Sequence, residues 1–189
     1  MSQAIQLINQ AFEKRGHETY GEGVSQIEHA LQCAYFAQRD GASTSQIVAA
    51  YLHDIGHLVH DLPADIADQG IDTQHESLGS VWLSQYFGPD VTEPILLHVA
   101  AKRYLAAVEK GYLDLISDAS MLSLKLQGGP MTAEEVKAFE AHPYFQQAIA
   151  LRRWDEEGKI LDFKGPTPQD FEPLMHLHQH CSRFPIMSH

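Results

Sequence analysis

The chain has 189 residues, which at roughly 150 residues per domain argues for one domain over 1–189, with a peripheral C-terminal segment from about residue 165. Apolar residues make up 44%, enough for a buried core, and 13 Gly with 9 Pro are too few for a collagen-like or disordered chain. Thirteen basic against 25 acidic residues leave a formal charge of -12, which disfavours nucleic acid and an anionic membrane surface as partners, although a few focused cations or a metal can still hold a small anion.

In chain order, Ile5, Ile8 and Phe12 recur at helical spacing, and Lys14 and Arg15 precede Gly16, so the first element is an amphipathic helix. Ser25 and Glu28 form a capping-box pattern that opens a second helix running toward Gly41. Ser43 and Gln46 repeat that logic before IVAAYLHDIGH, which places His53 and Asp54 on a third helix. The stretch from His57 to Gly70, with Pro63 and several Asp, reads as a connection. Thr73 and Glu76 cap the next helix, which carries His75, Leu78, Trp82 and Leu83; Gly88-Pro89 ends it and starts another through His98 and Lys102. Later elements begin near Leu113, Thr132, Pro143 and Thr167, with Gly128, Gly129 and Pro130 as a break. No segment alternates as a strand does, so the expected class is all-α, a compact helical bundle.

Cys33 and Cys181 are too few for a disulfide framework, and a free thiol inside a helix is ordinary. The first ten residues lack the basic start and apolar run of a signal peptide, and no stretch reaches 18 apolar residues, so a soluble cytoplasmic chain is expected. His176, His178 and His180 alternate near the C-terminus, a pattern that fits an exposed helix end or tail better than a metal site.

The chemistry lies elsewhere. His53-Asp54 can turn an imidazole and a carboxylate inward together, and His29, His75, His98 and Asp155 can converge on them from other helices. Nitrogen and hard oxygen donors suit Fe, Mn or a similar divalent ion better than a thiolate zinc site does. Asp54 has two oxygens and can touch two cations, offsetting their repulsion. Each of these residues alone also fits a buried, hydrogen-bonded polar group.

The order His29, His53-Asp54, His75, His98, Asp155, together with GEGVSQIEHALQCAYFAQRDGA, LHDIGH, LHVAAKRYL, SDAS, LQGGPM and RRWDEEGK, resembles the HD-domain superfamily. Within it, the likeness is to the mixed-valence di-iron oxygenases, and closer still to their phosphonate-cleaving branch; the shared blocks span residues 21 to about 159. The resemblance implies a compact HD-domain bundle holding two Fe ions as Fe(II)/Fe(III), with O2 as co-substrate. One iron would be held by His29, His53, Asp54 and Asp155, the other by Asp54, His75 and His98, with Asp54 bridging. It further implies a phosphonate-binding set at His57, Lys102, Ser120, Ser123 and Arg152. Lys102 supplies a point charge, Arg152 directed donors, and the two serines hydroxyls. Read singly, Lys102-Arg103 and Arg152-Arg153 fit a solvated surface, and Ser120 and Ser123 fit local backbone bonding.

TYGEGVSQIEH departs from the aminoethylphosphonate-cleaving relatives, which carry tyrosine three positions before Glu22, where this chain has Thr19 and displaces Tyr20 by one. Glu22 can complement an ammonium or a trimethylammonium, and Tyr20 can either offer its ring face to the cation or cover a helix approach. The YGE arrangement is more similar to the branch that converts (R)-1-hydroxy-2-(trimethylammonio)ethylphosphonate to glycine betaine and phosphate. Cleavage of (R)-2-amino-1-hydroxyethylphosphonate to glycine and phosphate is the alternative, followed by HD phosphohydrolysis and a noncatalytic metal-binding domain.

Overall fold

The computed structural model describes residues 2–19, 23–59 and 74–180. Its helices are α1 (Gln3–Arg15), α2 (Gln26–Arg39), α3 (Thr44–Leu52), α4 (His75–Leu83), α5 (Pro89–Val108), α6 (Tyr112–Leu115), α7 (Asp118–Leu126), α8 (Ala133–Glu140), α9 (Phe145–Glu157) and α10 (Pro168–His178), with a 3-10 turn over Ile55–His57. Among the described residues there is no strand, and the bundle is all-α.

The caps explain most of the helix starts. Ser25 and Glu28 make the reciprocal capping box, with the Ser25 amide donating to Glu28 Oε2 at 2.8 Å. Thr132 with Glu135 and Thr167 with Asp170 form the same box, and Pro168 occupies the first turn of α10. Ser43 caps α3 through the Gln46 amide, and Gly88-Pro89 opens the 20-residue α5.

Three sequence expectations change. His53 and Asp54 do not both lie on the third helix. That helix ends at Leu52, His53 is its C-cap, and Asp54 leaves it at φ -100°, ψ 9°. Consecutive residues on a helix point about 100° apart, so ending the helix here is what lets the two side chains meet. Gln74, at φ 48°, caps α4 without a side-chain bond, while the expected cap Thr73 and most of the 57–70 connection lie outside the described residues. The element expected near Leu113 is two helices: the short α6, then α7, whose N-cap Ser117 accepts the Ser120 amide.

α5 and α9 pack lengthwise against one another, α2 and α3 close over them, and α4 lies along α5. Phe12, Tyr51 and Phe171 stack as a column with centroids 5.1 and 5.2 Å apart, tying α1, α3 and α10 together. Phe171 and Met175 of α10 sit inside the main core, and the His180 amide donates to Tyr86 O. A smaller cluster of Ala101, Phe139 and Ala148 fills the space between α5, α8 and α9. The polar exceptions to the apolar interior include His29, His53, Asp54, His75, His98, Lys102, Arg152 and Asp155.

Candidate metal centre

These buried polar residues arrive from five directions. α2 supplies His29, the end of α3 supplies His53 and Asp54, α4 begins at His75, α5 carries His98 midway, and α9 carries Asp155 and Arg152. Two glycines permit the approach. A Cβ on Gly56 would lie 2.0 Å from His75 O, so the bare backbone is what lets α4 bring His75 to Asp54. A Cβ on Gly158 would lie 2.6 Å from Cys33 Sγ and 3.3 Å from His29 Nδ1.

Main-chain carbonyls orient three of the four imidazoles. His29 Nδ1 donates to Gly158 O at 2.8 Å, His53 Nδ1 to Ala50 O at 2.9 Å, and His98 Nδ1 to Ile95 O at 2.7 Å. A carbonyl can only accept, so each Nδ1 carries a proton and each Nε2 faces inward. The Nε2 atoms meet in pairs: His29 and His53 Nε2 are 3.2 Å apart, and His75 and His98 Nε2 are 3.1 Å apart.

Asp54 stands between the two pairs and divides its oxygens. Oδ2 is 3.4 Å from His53 Nε2 and 3.7 Å from His29 Nε2, while Oδ1 is 3.3 Å from His75 Nε2 and 3.6 Å from His98 Nε2. Asp155 Oδ1 joins the first group, 3.4 Å from His29 Nε2 and 4.0 Å from His53 Nε2. Among the described residues, buried Asp54 Oδ2 accepts no hydrogen bond. Acceptors gathered around an unbonded carboxylate oxygen are stable with cations between them, so the donor set fits two metal ions.

Electrostatics agrees with that charge pattern. Burial would raise both carboxyls, but His53 and His75 hold Asp54 well below the usual range, as Arg152 and His29 hold Asp155. Burial lowers His53, and burial with the neighbouring His75 lowers His98 to about 3, which keeps both rings neutral and able to ligate. At His29 burial is outweighed by Cys33 and Asp155, and at His75 by Asp54, so both move upward. Protons and cations therefore compete for the same lone pairs. Cys33 also borders this group, its Sγ 3.7 Å from His29 Nε2, with its thiol raised by burial.

Beside the carboxylates lies a cationic shelf. Lys102 Nζ donates to Ser123 Oγ at 2.6 Å, and Arg152 donates through Nη1 to Asp155 Oδ2 at 2.6 Å and through Nη2 to Ser120 Oγ at 3.3 Å. Lys102 and Arg152 are only 2% and 3% exposed, so neither is a solvated surface cation. Burial, then Arg152, lowers the Lys102 pKa to about 7. His57 stacks on His75 with centroids 4.1 Å apart. The structure adds a cation that motif reading missed: Lys159, the last residue of RRWDEEGK, donates to Ser120 Oγ at 3.0 Å. Tyr20 and Glu22 lie outside the described residues.

The pattern of the HD domain family matches residues 27–142. The chain belongs to the HD domain family. Among its relatives, the [1-hydroxy-2-(trimethylamino)ethyl]phosphonate dioxygenase (glycine-betaine-forming) of Leisingera caerulea is 44% identical over 172 residues, covering 90% of this chain and 88% of that protein. The hydroxymethylphosphonate dioxygenase of Gimesia maris is also 44% identical, over 170 residues, covering 88% of this chain and 84% of that protein. An uncharacterized protein of Acanthamoeba polyphaga mimivirus is 35% identical over 178 residues, covering 90% of this chain and 80% of that protein. The HD match takes in His29, His53, Asp54, His75 and His98, whereas Arg152, Asp155 and Lys159 follow it in the chain. Among the described residues no helix is long and apolar enough to cross a membrane.

Proposed function

We propose that this HD-domain protein is a non-haem di-iron dioxygenase that cleaves the C–P bond of (R)-1-hydroxy-2-(trimethylammonio)ethylphosphonate with O2, giving glycine betaine and phosphate. The observation that carries the reading is the division of Asp54, one oxygen facing His29 and His53, the other facing His75 and His98. The two phosphonate dioxygenases at 44% identity supply the reaction class. Iron, in a mixed-valence Fe(II)/Fe(III) pair, fits a donor set of imidazole nitrogens and carboxylate oxygens. Buried Cys33, free of any disulfide, suits a reducing, cytoplasmic setting.

The reaction balances as phosphonate dianion plus O2 giving betaine, hydrogen phosphate and one proton. When bound, the iron pair supplies the electron transfer to O2 that organic side chains cannot. In this proposal His29, His53, Asp54 and Asp155 hold one ion, and Asp54, His75 and His98 the other. Lys102, Arg152, Ser120, Ser123 and His57 receive the phosphonate oxygens, with Lys159 beside Ser120 adding to the field. Fixed on that shelf, the hydroxyl-bearing carbon is turned toward the Asp54 side, which is positioning and preorganisation rather than proton chemistry by the protein. The same cations then face the departing phosphate, so inorganic phosphate is an expected competitive inhibitor.

Tyr20 and Glu22 are proposed for the cationic end of the substrate. A trimethylammonium donates no N–H bonds, and an aromatic face with a carboxylate field suits it. A second reading, hydroxymethylphosphonate as substrate, rests on the equal identity of that relative and leaves Tyr20 and Glu22 without a cation to meet. The test compares O2 uptake and phosphate release from the trimethylammonio, primary-amino and hydroxymethyl forms at matched concentrations. The proposal expects the highest kcat/KM for the trimethylammonio form and no turnover without O2. Preference for either other form overturns the substrate, and anaerobic turnover of a phosphate ester would make the chain a hydrolase.

A further inference from the structure

Arg152 reaches both the candidate metal centre and the anion shelf, and something must decide where its guanidinium plane points. Its Nη1 is engaged by Asp155 and its Nη2 by Ser120. Its third edge, Nε, donates to Glu156 Oε1 at 2.9 Å and to Tyr112 Oη at 3.3 Å. Tyr112 in turn donates its hydroxyl to the same Glu156 oxygen, closing a triangle of Arg152 Nε, Tyr112 Oη and Glu156 Oε1. Tyr112 is fully buried, while the Glu156 side chain keeps 17% of its exposure. The Tyr112 ring is pinned from outside as well, with the Arg153 guanidinium 5.9 Å from its centroid and Arg153 held by Glu109.

We propose that Tyr112 and Glu156 are positioning residues that aim Arg152 at the phosphonate, resting on the function proposed above. A partly exposed glutamate on a helix has alternative rotamers in solvent. The tyrosine hydroxyl holds it in the one that faces Arg152 Nε. With that edge taken, the guanidinium cannot swing about its stem, and Nη2 stays directed at Ser120 and the oxyanion. Glu156 also balances one positive charge, so that Asp155 is not the sole counterion of Arg152 and keeps Oδ1 for the metal side. Neither Tyr112 nor Glu156 touches substrate in this arrangement; both act through Arg152.

The test uses the iron-loaded full chain, with inorganic phosphate as the probe and isothermal titration calorimetry as the readout, alongside iron content and kinetics. Tyr112→Phe is expected to weaken phosphate binding about 3- to 10-fold, the size of one lost hydrogen bond. KM should rise by a similar factor, with little change in kcat or in iron per chain. Glu156→Gln, whose amide oxygen still accepts from Arg152, should retain most of the affinity that Glu156→Ala loses. In an Arg152→Lys background, which has no Nε to orient, adding Tyr112→Phe should change phosphate binding less than about 2-fold. An unchanged phosphate Kd in Tyr112→Phe, or its full effect in the Arg152→Lys background, would overturn the inference in favour of a purely structural tyrosine. Should Tyr112→Phe fail to fold, the Glu156→Gln and Glu156→Ala pair decides, equal losses overturning it. If the wild-type chain binds no phosphate and releases none from a phosphonate, the proposed function falls first and takes this inference with it.

Discussion

Main-chain carbonyls brace three of the four imidazoles around Asp54, whereas the shelf of Lys102, Arg152 and Lys159 is braced by hydroxyls and carboxylates of other side chains. A carbonyl moves only with its helix, so the nitrogen cluster is as rigid as the packing of α2, α3, α5 and α9. A side-chain network can be re-aimed by a single substitution. Under the proposed function this difference divides the labour: the bundle would fix the metal geometry, and the shelf, joined to it through Arg152 and Asp155, would set what anion is held and how.

The largest expected effect breaks the first half of that comparison. Asp54→Ala removes the one residue common to both groups of donors, so bound metal should fall from two ions per chain to one or none, and turnover should drop by at least about 1,000-fold. Elemental analysis of the purified variant checks it; two ions still bound would remove the bridging role. Gly158→Ala is next. Its new methyl meets Cys33 Sγ and His29 Nδ1, so the ring loses its carbonyl brace, and metal affinity should weaken about 10- to 100-fold. A chelator competition titration measures the loss.

On the shelf, Lys102→Met should raise KM about 10- to 100-fold, the value of a buried charge-assisted hydrogen bond, while leaving metal content at the wild-type level. The wild-type pH profile carries the same information. With its pKa lowered to about 7, Lys102 is charged below that pH and neutral above it, so phosphate affinity should decline as pH rises through about 7. The Met variant, lacking that titration, should lose this part of the decline. Metal loss together with the KM change would erase the distinction between shelf and centre. The smallest effect is expected at Cys33. Its thiol is buried and stands 3.7 Å from His29 Nε2, farther than Asp155 Oδ1, and Cys33→Ala should keep both metal ions at about 1 kcal/mol of lost stability. Loss of one ion would instead make Cys33 a ligand.

Much of the framework was legible because its signals are local. Ser25 with Glu28, Thr132, and Thr167 with Asp170 announce helix starts within three or four residues. Asp54 and the five residues gathered around it were legible only as a set, since each alone fits an ordinary buried polar group. The end of α3 at Leu52 was hidden because neither glycine nor proline interrupts AAYLHD, and the turn is imposed by tertiary packing of Gly56 against α4. α7 was hidden because Ser117 and Asp118 follow too closely on α6 to separate two short helices by periodicity. Lys159 and Tyr112 escaped for another reason. Their partners, Ser120 and Glu156, are 39 and 44 residues away, and only the packing of α9 brings them together.

One carboxylate shared by two cations would leave its mark in the magnetism of the iron-loaded protein. Titration with iron, followed by Mössbauer spectroscopy in applied field, should show two irons per chain with exchange-coupled spins, and Asp54→Ala should lose that coupled pair. A single iron per chain, or two irons with independent spins, would contradict the account.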